Sequence, residues 1–164
     1  MIRTLTLAAA LCFAPAALAQ DGEMGEVERI ARDYMAAYSA VDFETMSTFM
    51  ADDIVFSDPT ATGTDNPDGI QETGRDAVLA MLDSFAEQFN PIGLNFDWDT
   101  VFESNGRVVF MGHVNATYPT DQPGQVFRWR AAQTAVVTVR GGRVVRHQDF
   151  ADYAHAEQGL VPAE

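Results

Sequence analysis

The sequence predicts a small α+β domain in which helices come first and an antiparallel sheet follows. Apolar residues recur at helical spacing over residues 26–41 and again over 75–89. From Gly93 onward the apolar period changes from 3.6 to 2, which indicates strands. Tight-turn signals such as Asn105-Gly106 separate those strands. Helices followed by a meander of strands are typical of the α+β class.

The first 19 residues have the pattern of a cleaved export signal. One cation, Arg3, precedes an apolar run over Leu5–Leu18, and the segment ends in the small-x-small pattern of Ala17-Leu18-Ala19. The run is too short and too rich in alanine for a stable membrane span. We therefore expect a signal peptide over 1–19 and a periplasmic or secreted protein, with a retained N-terminal anchor as the alternative.

The composition excludes several kinds of chemistry. Cys12 is the only cysteine and lies inside the leader, so the mature chain cannot form a disulfide, a thiolate nucleophile or a cysteine metal site. All ten cationic residues are arginine, which excludes a lysine Schiff base. A formal charge of −14 repels phosphate groups, so neither nucleic acid nor, after cleavage, a membrane is an expected partner.

The helices and the first strand are placed by periodicity and by capping residues. Residues 26–41 present one apolar face, and Asp42 has the position of an N-cap for a second, short helix. A short strand at Ile54-Val55-Phe56 stops before Pro59, which cannot donate to a ladder. Residues 60–73 have the composition of a loop. A third helix is predicted from about Arg75 to Phe89, ended by Asn90-Pro91.

Four long strands follow the third helix. The predicted strands are Leu94–Glu103, Arg107–Tyr118, Phe127–Val139 and Arg143–Tyr153. The remaining residues give no periodic signal. We expect one domain over 20–154 and a loose C-terminal tail over 155–164.

The chain resembles the SnoaL-like branch of the nuclear transport factor 2-like superfamily. The stretches that match are Tyr34–Tyr38 with Asp42-Phe43, Phe49–Pro59, Gly74–Val78 and Gly142–Tyr153. The resemblance implies a cone-shaped domain in which three helices pack on a curved, mostly antiparallel sheet around one apolar pocket. It also implies homodimerisation. It does not fix the function, because the fold hosts isomerases, cyclases, hydratases, hydrolases and proteins without catalysis.

Asp149 is the leading candidate for a catalytic residue. Polyketide cyclases of this family place an acid/base aspartate on the last strand, and Asp149-Phe150-Ala151-Asp152 is similar to a stretch of limonene epoxide hydrolases. Alternation along the strand places several residues on the face of Asp149: Val145, His147, Ala151 and Tyr153. The alternative is a structural Asp149 that bonds a backbone amide or an arginine.

His113 is the second candidate. It lies in the middle of a strand with Asn115 beside it on the same face, and an imidazole there could share a proton with Asp149. A buried structural histidine is the alternative. The epoxide hydrolases carry an Arg-x-Asp pair where this chain has Met111-x-His113 or His113-x-Asn115. That difference argues against their mechanism and favours hydration or proton abstraction next to a carbonyl.

Other side chains are expected to form the pocket. Asp58, before Pro59, either borders the mouth or caps the following loop. The remaining pocket candidates, which could equally belong to the core, are Tyr34, Tyr38, Phe56, Trp98, Asn115, Trp129, His147 and Tyr153.

No metal or cofactor is expected. His113, His147 and His155 are dispersed without metal-ligand spacing, and neither a phosphate-binding glycine loop nor a serine hydrolase elbow occurs. Two functions stay open. One is a cofactor-independent isomerase, cyclase or hydratase that acts on a small apolar carbonyl compound through Asp149 and His113. The other is a non-catalytic exported binding or accessory module for a small apolar ligand, with a pure protein–protein module as a third and weaker possibility.

Overall fold

The computed structural model of the protein describes residues 24–63 and 66–163. The predicted signal peptide lies outside these residues. The helices are α1 (Glu26–Ser39), α2 (Phe43–Ser47) and α3 (Arg75–Phe89). The strands are β1 (Met50–Asp58), β2 (Ile70–Thr73), β3 (Gly93–Ser104), β4 (Arg107–Pro119), β5 (Gln125–Arg140), β6 (Arg143–Ala151) and β7 (Glu157–Pro162). A one-turn 3-10 helix, Tyr153–His155, joins β6 to β7.

The helix boundaries follow the capping residues that the sequence predicts. The Asp42 side chain accepts a hydrogen bond from the Thr45 N–H and so caps α2. The third helix ends where Asn90 adopts the left-handed conformation at φ 44°, directly before Pro91. Apolar faces of α1 and α3 pack on the inner face of the sheet, contributing Ile30 and Met35 from α1 and Val78 from α3 to the core.

The strands form one mixed sheet with the order β2-β1-β6-β5-β4-β3. All neighbours are antiparallel except β1 and β6, which run parallel. The α+β prediction is confirmed, and the sheet is curved and mostly antiparallel. Because β1 pairs with β6, the last long strand, as well as with β2, the beginning and the end of the domain meet in the middle of the sheet.

Two short strands were not predicted. Residues 70–73 were expected to be loop and instead form β2 against β1, and the expected loose tail contains β7, which pairs with Gln125–Arg130 of β5. Both segments are short, and neither alternates apolar with polar residues over a length that would signal a strand. They become strands because a neighbouring strand offers an open edge. β6 pairs with the second half of β5, and β7 pairs with its first residues on the same edge.

Two bulges change which residues of β3 and β6 face inward, compared with the predicted alternation. In β3 the register with β4 shifts at Asp99, so that Val101 rather than Thr100 faces inward and Phe102 is exposed. In β6 the register with β5 shifts between Val144 and Arg146, which turns Val144 rather than Val145 into the core. The expected inward position of Val145 is wrong. An extra residue in one strand reverses the facing of the residues on one side of it.

Gly112 permits the bulge in β3. A Cβ atom at this position would lie 1.9 Å from the carbonyl oxygen of Asp97 on the neighbouring strand. No side chain other than hydrogen fits at that distance. The glycine therefore allows β3 to approach β4 closely beside the bulge.

Substitution of Gly112 by alanine should destabilise the domain. The new methyl group must push β3 away, and overpacking of this kind costs about 1–3 kcal/mol. Gly159→Ala in β7 is the control, because a Cβ there meets no atom within 4 Å, so its effect should stay within about 0.5 kcal/mol. Urea unfolding measures both, and equal midpoints would contradict the close approach.

Candidate functional site

A chain of buried polar side chains crosses the interior from α1 to the sheet. The Tyr34 hydroxyl lies 3.0 Å from His147 Nδ1, and His147 Nε2 lies 3.0 Å from Asp149 Oδ1. The same carboxylate oxygen accepts a 2.8 Å hydrogen bond from Gln133 Nε2. His147 is fully buried and Asp149 is 4% exposed. Hydrogen bonds thus link side chains from α1, β5 and β6 to one carboxylate, directly or through His147.

The hydrogen bonds assign the protons in this chain. Asp149 is an acceptor, so His147 donates through Nε2, and Nδ1 of the neutral imidazole accepts from the Tyr34 hydroxyl. Desolvation, with the charge of Asp149 as a second cause, raises the pKa of Tyr34 well above its ordinary value. The phenol therefore keeps its proton and remains a donor. Both ring nitrogen atoms of His147 thus have a hydrogen-bond partner.

Aromatic rings enclose the imidazole. The rings of Tyr34, Tyr38 and Phe56 lie edge-on to His147, with centroids 5.4, 5.4 and 4.7 Å away. Phe96 of β3 packs on Tyr38 at 5.4 Å. The rings fix the orientation of His147 by packing, while its two nitrogen atoms fix it by hydrogen bonding. Tyr34, Tyr38, Phe56 and His147, four of the pocket candidates, thus lie together in the interior.

Two polar atoms beside this chain remain available. Neither Asp149 Oδ2 nor the Tyr38 hydroxyl has a hydrogen-bond partner among residues 24–63 and 66–163, yet no fully enclosed side-chain oxygen there is unpaired. Neither atom is therefore fully enclosed by the protein. Desolvation raises the pKa of Tyr38 well above its ordinary value, and the charge of Asp149 adds to the effect. A proton donor and a carboxylate acceptor are thus both available next to His147.

A second buried carboxylate lies at the end of β1. Asp58 is 6% exposed, and its Oδ1 accepts from Thr60 N, Thr60 Oγ1 and Ala61 N, while its Oδ2 accepts from the Tyr153 hydroxyl at 2.8 Å. Thr60 Oγ1 in turn accepts from the backbone of Ala151. Asp58 therefore caps its loop and also reaches the candidate site through Tyr153. Both predicted roles are compatible with this position.

A second group of buried apolar residues, here called the apolar lobe, lies beyond Asp149 toward the end of β4 and the start of β5. Val114, Ala116 and Ala131 are buried on the inner face but lie outside the main core cluster. Trp129 is the next inward-facing residue of β5 beyond Ala131. The centroid of its ring lies 5.6 Å from that of Tyr153. Trp129 and Tyr153 thus border the side of the site that leads away from the core.

The predicted pairing of Asp149 with His113 is wrong. Gly112 pairs with Gln133, whose side chain bonds Asp149, while the next residue, His113, pairs with Ala132 and projects from the opposite face of the sheet. The side chain of His113 is 32% exposed, with Nδ1 3.9 Å from Asp99 Oδ2. The imidazole that partners Asp149 belongs to His147.

Asn115 shares the outer face with His113. Its amide donates to Asp97 in an exposed contact, so it does not join the buried chain. A cavity of about 490 Å³ is lined mainly by outer-face side chains such as Met111, Thr134 and Phe150, and touches the buried chain through Gln133. This cavity reaches Gln133, the donor to Asp149, but Asp149 itself does not line it.

Trp98 packs against the core from β3. Its ring stacks on Phe96 at 5.2 Å and lines a groove of about 200 Å³ between α1 and the sheet, with Arg32 at the same groove. Within the described part of the chain, no cluster of three or more His, Cys, Asp or Glu side chains could hold a metal ion, and no helix there is long and apolar enough to cross a membrane.

Gln133 is the site residue that sequence reasoning missed. It lies in β5 at a position where the inward-facing neighbours are alanine and valine: Ala131, Ala135, Val137 and Val139. A single amide in such an apolar series is the signal that could have found it, since a buried amide requires a polar partner.

The chain belongs to the SnoaL-like domain family. Residues 31–147 match the family model, which is more than two thirds of the chain. A comparison with curated proteins gives no match.

Solved structures share the fold. A protein described as a SnoaL-like polyketide cyclase from Shewanella putrefaciens CN-32 is 24% identical, with a TM-score of 0.67 over 80% of this chain and 93% of its own. The Δ5-3-ketosteroid isomerase of Mycobacterium sp. is 20% identical, with a TM-score of 0.66 over 83% of this chain and 100% of its own. A computationally designed 17-OHP binder is 17% identical, with a TM-score of 0.67 over the same shares. At these identities the likeness establishes the fold alone.

Removal of the Tyr34 hydroxyl should destabilise the protein, while removal of the Tyr38 hydroxyl should not. Tyr34→Phe leaves Nδ1 of a fully buried imidazole without its donor, which costs about 1–3 kcal/mol. Tyr38→Phe removes a hydroxyl that has no partner among the described residues, so the free energy of unfolding should change little. Denaturant unfolding of the two variants in parallel measures the difference. Equal losses would disprove the assigned hydrogen bond to His147.

Proposed function

We propose that the protein is a cofactor-independent enzyme that moves a proton on a small, largely apolar carbonyl compound. The observation that carries the proposal is the buried Asp149 carboxylate, with one oxygen held by His147 and Gln133 and the other without a hydrogen-bond partner among the described residues. A carboxylate fixed in this way can act as a general base toward a substrate placed beside it. The ketosteroid isomerase fold of one solved neighbour is consistent with this chemistry.

The proposed reaction needs no external oxidant or reductant. Asp149 Oδ2 takes a proton from the carbon next to the carbonyl group, the C–H electron pair moves into the C–C bond, and the carbonyl oxygen gains negative charge. The Tyr38 hydroxyl, kept protonated by its raised pKa, donates a hydrogen bond to that oxygen. Asp149 then returns the proton to a different carbon, which completes an isomerisation. Protonation after ring closure would give a cyclase instead.

His147 and Tyr34 act as positioning residues in this proposal. The imidazole holds Asp149 Oδ1, so the carboxylate cannot rotate Oδ2 away from the open side. Tyr34 selects the tautomer of His147 that donates to Asp149. Neither side chain needs to touch the substrate.

Replacement of Asp149 by asparagine should abolish proton transfer without loss of the fold. The amide has the same shape, can accept from His147 through its oxygen and is not a base. Turnover should fall by about 100-fold or more, which is the contribution typical of a general base. The measurement is deuterium incorporation from D₂O into a panel of apolar β,γ-unsaturated ketones, followed by NMR.

His113→Gln is the matched control, because His113 lies on the opposite face of the sheet. Its exchange rate should equal that of the wild type. Ligand binding without exchange in the wild type as well as in Asp149→Asn would contradict catalysis and favour the alternative, a binding module for a small apolar ligand. The designed 17-OHP binder is an example of this fold serving that purpose.

Export is a separate proposal that depends on the leader sequence alone. If residues 1–19 are cleaved, N-terminal sequencing of protein recovered outside the cytoplasm should begin at or near Gln20. A sequence that begins at Met1 would contradict it.

A further inference from the structure

Tyr153 has a fixed position between two elements of the site. It follows β6 directly and begins the 3-10 helix, whose first turn is capped by the Asp152 side chain through the His155 N–H. The Asp152 N–H donates to the carbonyl group of Ala132 on β5. The backbone that carries Tyr153 is thus anchored on both sides, while the ring itself is 46% exposed.

Asp58 is a fixed acceptor for the Tyr153 hydroxyl. Three donors hold Asp58 Oδ1 in place, so Oδ2 can turn to Tyr153 without disturbing the loop. A hydrogen bond to a buried carboxylate is stronger than one between neutral groups. The hydroxyl end of Tyr153 is therefore held firmly at the end of β1.

The ring spans from the end of β1 to β5. One end bonds Asp58, and the ring packs against Trp129 at 5.6 Å. Desolvation, followed by the charges of Asp58 and Asp149, raises the pKa of Tyr153 well above its ordinary value. Ser57 of β1 pairs with Gln148 of β6, so the next residues of these parallel strands, Asp58 and Asp149, are neighbours. The bond to Asp58 therefore holds the phenol group near Asp149, although part of the ring faces solvent.

We propose that Tyr153 is the specificity-determining residue of the site, a side chain that covers the approach to Asp149 and is held closed by its hydrogen bond to Asp58. The inference deepens the proposed function, since the approach it describes leads to the proposed base. Rotation of one side chain opens the approach while the anchored backbone stays in place. The closed ring then excludes bulky compounds, and the open ring admits them.

The first experiment measures how well Tyr153 covers Trp129. The chain has two tryptophans, so in a Trp98→Phe background all indole fluorescence comes from Trp129. Tyr153→Phe keeps the ring but removes the bond to Asp58, which should shift the closed-to-open ratio by roughly tenfold. Acrylamide quenching of Trp129 should rise from the parent value toward that of Tyr153→Ala.

Tyr118→Phe is the matched control, because its hydroxyl has no hydrogen-bond partner among the described residues and its ring packs on Phe127 rather than Trp129. Its quenching should equal that of the parent. Thermal unfolding verifies that each variant folds. If acrylamide quenched Trp129 in Tyr153→Phe no more than in the parent, the role of Asp58 would be overturned. If quenching in Tyr153→Ala also equalled that of the parent, the covering role of the ring would be overturned.

The second experiment tests selection by size and does not depend on turnover. Nile red, a neutral bulky dye that fluoresces in apolar surroundings, should bind Tyr153→Ala at least tenfold more tightly than the wild type. Equal binding or no binding by the variant would overturn the proposal. Because no proton transfer is involved, this result separates the failure of Tyr153 as a cover from the failure of Asp149 as a base, which the deuterium exchange measures.

Discussion

The carboxylate of Asp149 is buried, and the surrounding structure provides its hydrogen-bond donors. A buried ionised group is costly unless it is hydrogen-bonded. Gln133 comes from the adjacent strand, and His147 lies two residues before Asp149 on β6. The Tyr34 hydroxyl of α1 donates to the other nitrogen of the imidazole. The position of α1 against the sheet is thus set by a polar chain as well as by apolar packing. Networks of this kind specify one arrangement because a partly satisfied network is unfavourable.

The two buried carboxylates have different environments and therefore different consequences. All the donors to Asp58 come from its own loop and from Tyr153, and one of its oxygens has three donors. Asp149 has donors on one oxygen only. Asp58 is thus suited to hold structure, whereas Asp149 retains an oxygen for chemistry. Tyr153 connects the two environments, since it bonds one carboxylate and lies within the electrostatic field of the other.

The bulges decide which strand residues belong to the interior. The shift at Asp99 keeps Trp98 and Val101 both on the inner side, and it depends on the absence of a side chain at Gly112. The shift in β6 turns Val144 into the core while His147 and Asp149 remain inward. Bulges also increase strand twist. The long sheet can therefore curve around α1 and α3. The polar side chains of Gln133, His147 and Asp149 then lie between the main core and the apolar lobe.

The amino-acid sequence alone determined the order of the helices and long strands, the cap at Asp42, and the shared face of His147 and Asp149. These features depend on periodicity and on local hydrogen bonds, which are encoded within a few residues. The tertiary structure decided the rest. It paired β1 with β6, made strands of 70–73 and 157–162, and placed His113 on the outer face.

The partner of Asp149 could not be read from the sequence, because the strand register that separates His113 from Asp149 depends on contacts between β4 and β5. His147 was predicted to share the face of Asp149, yet its role became apparent only when Tyr34, more than a hundred residues earlier, was found at its second nitrogen. Local patterns determine which face a side chain occupies, but only tertiary packing determines which side chains meet across the interior.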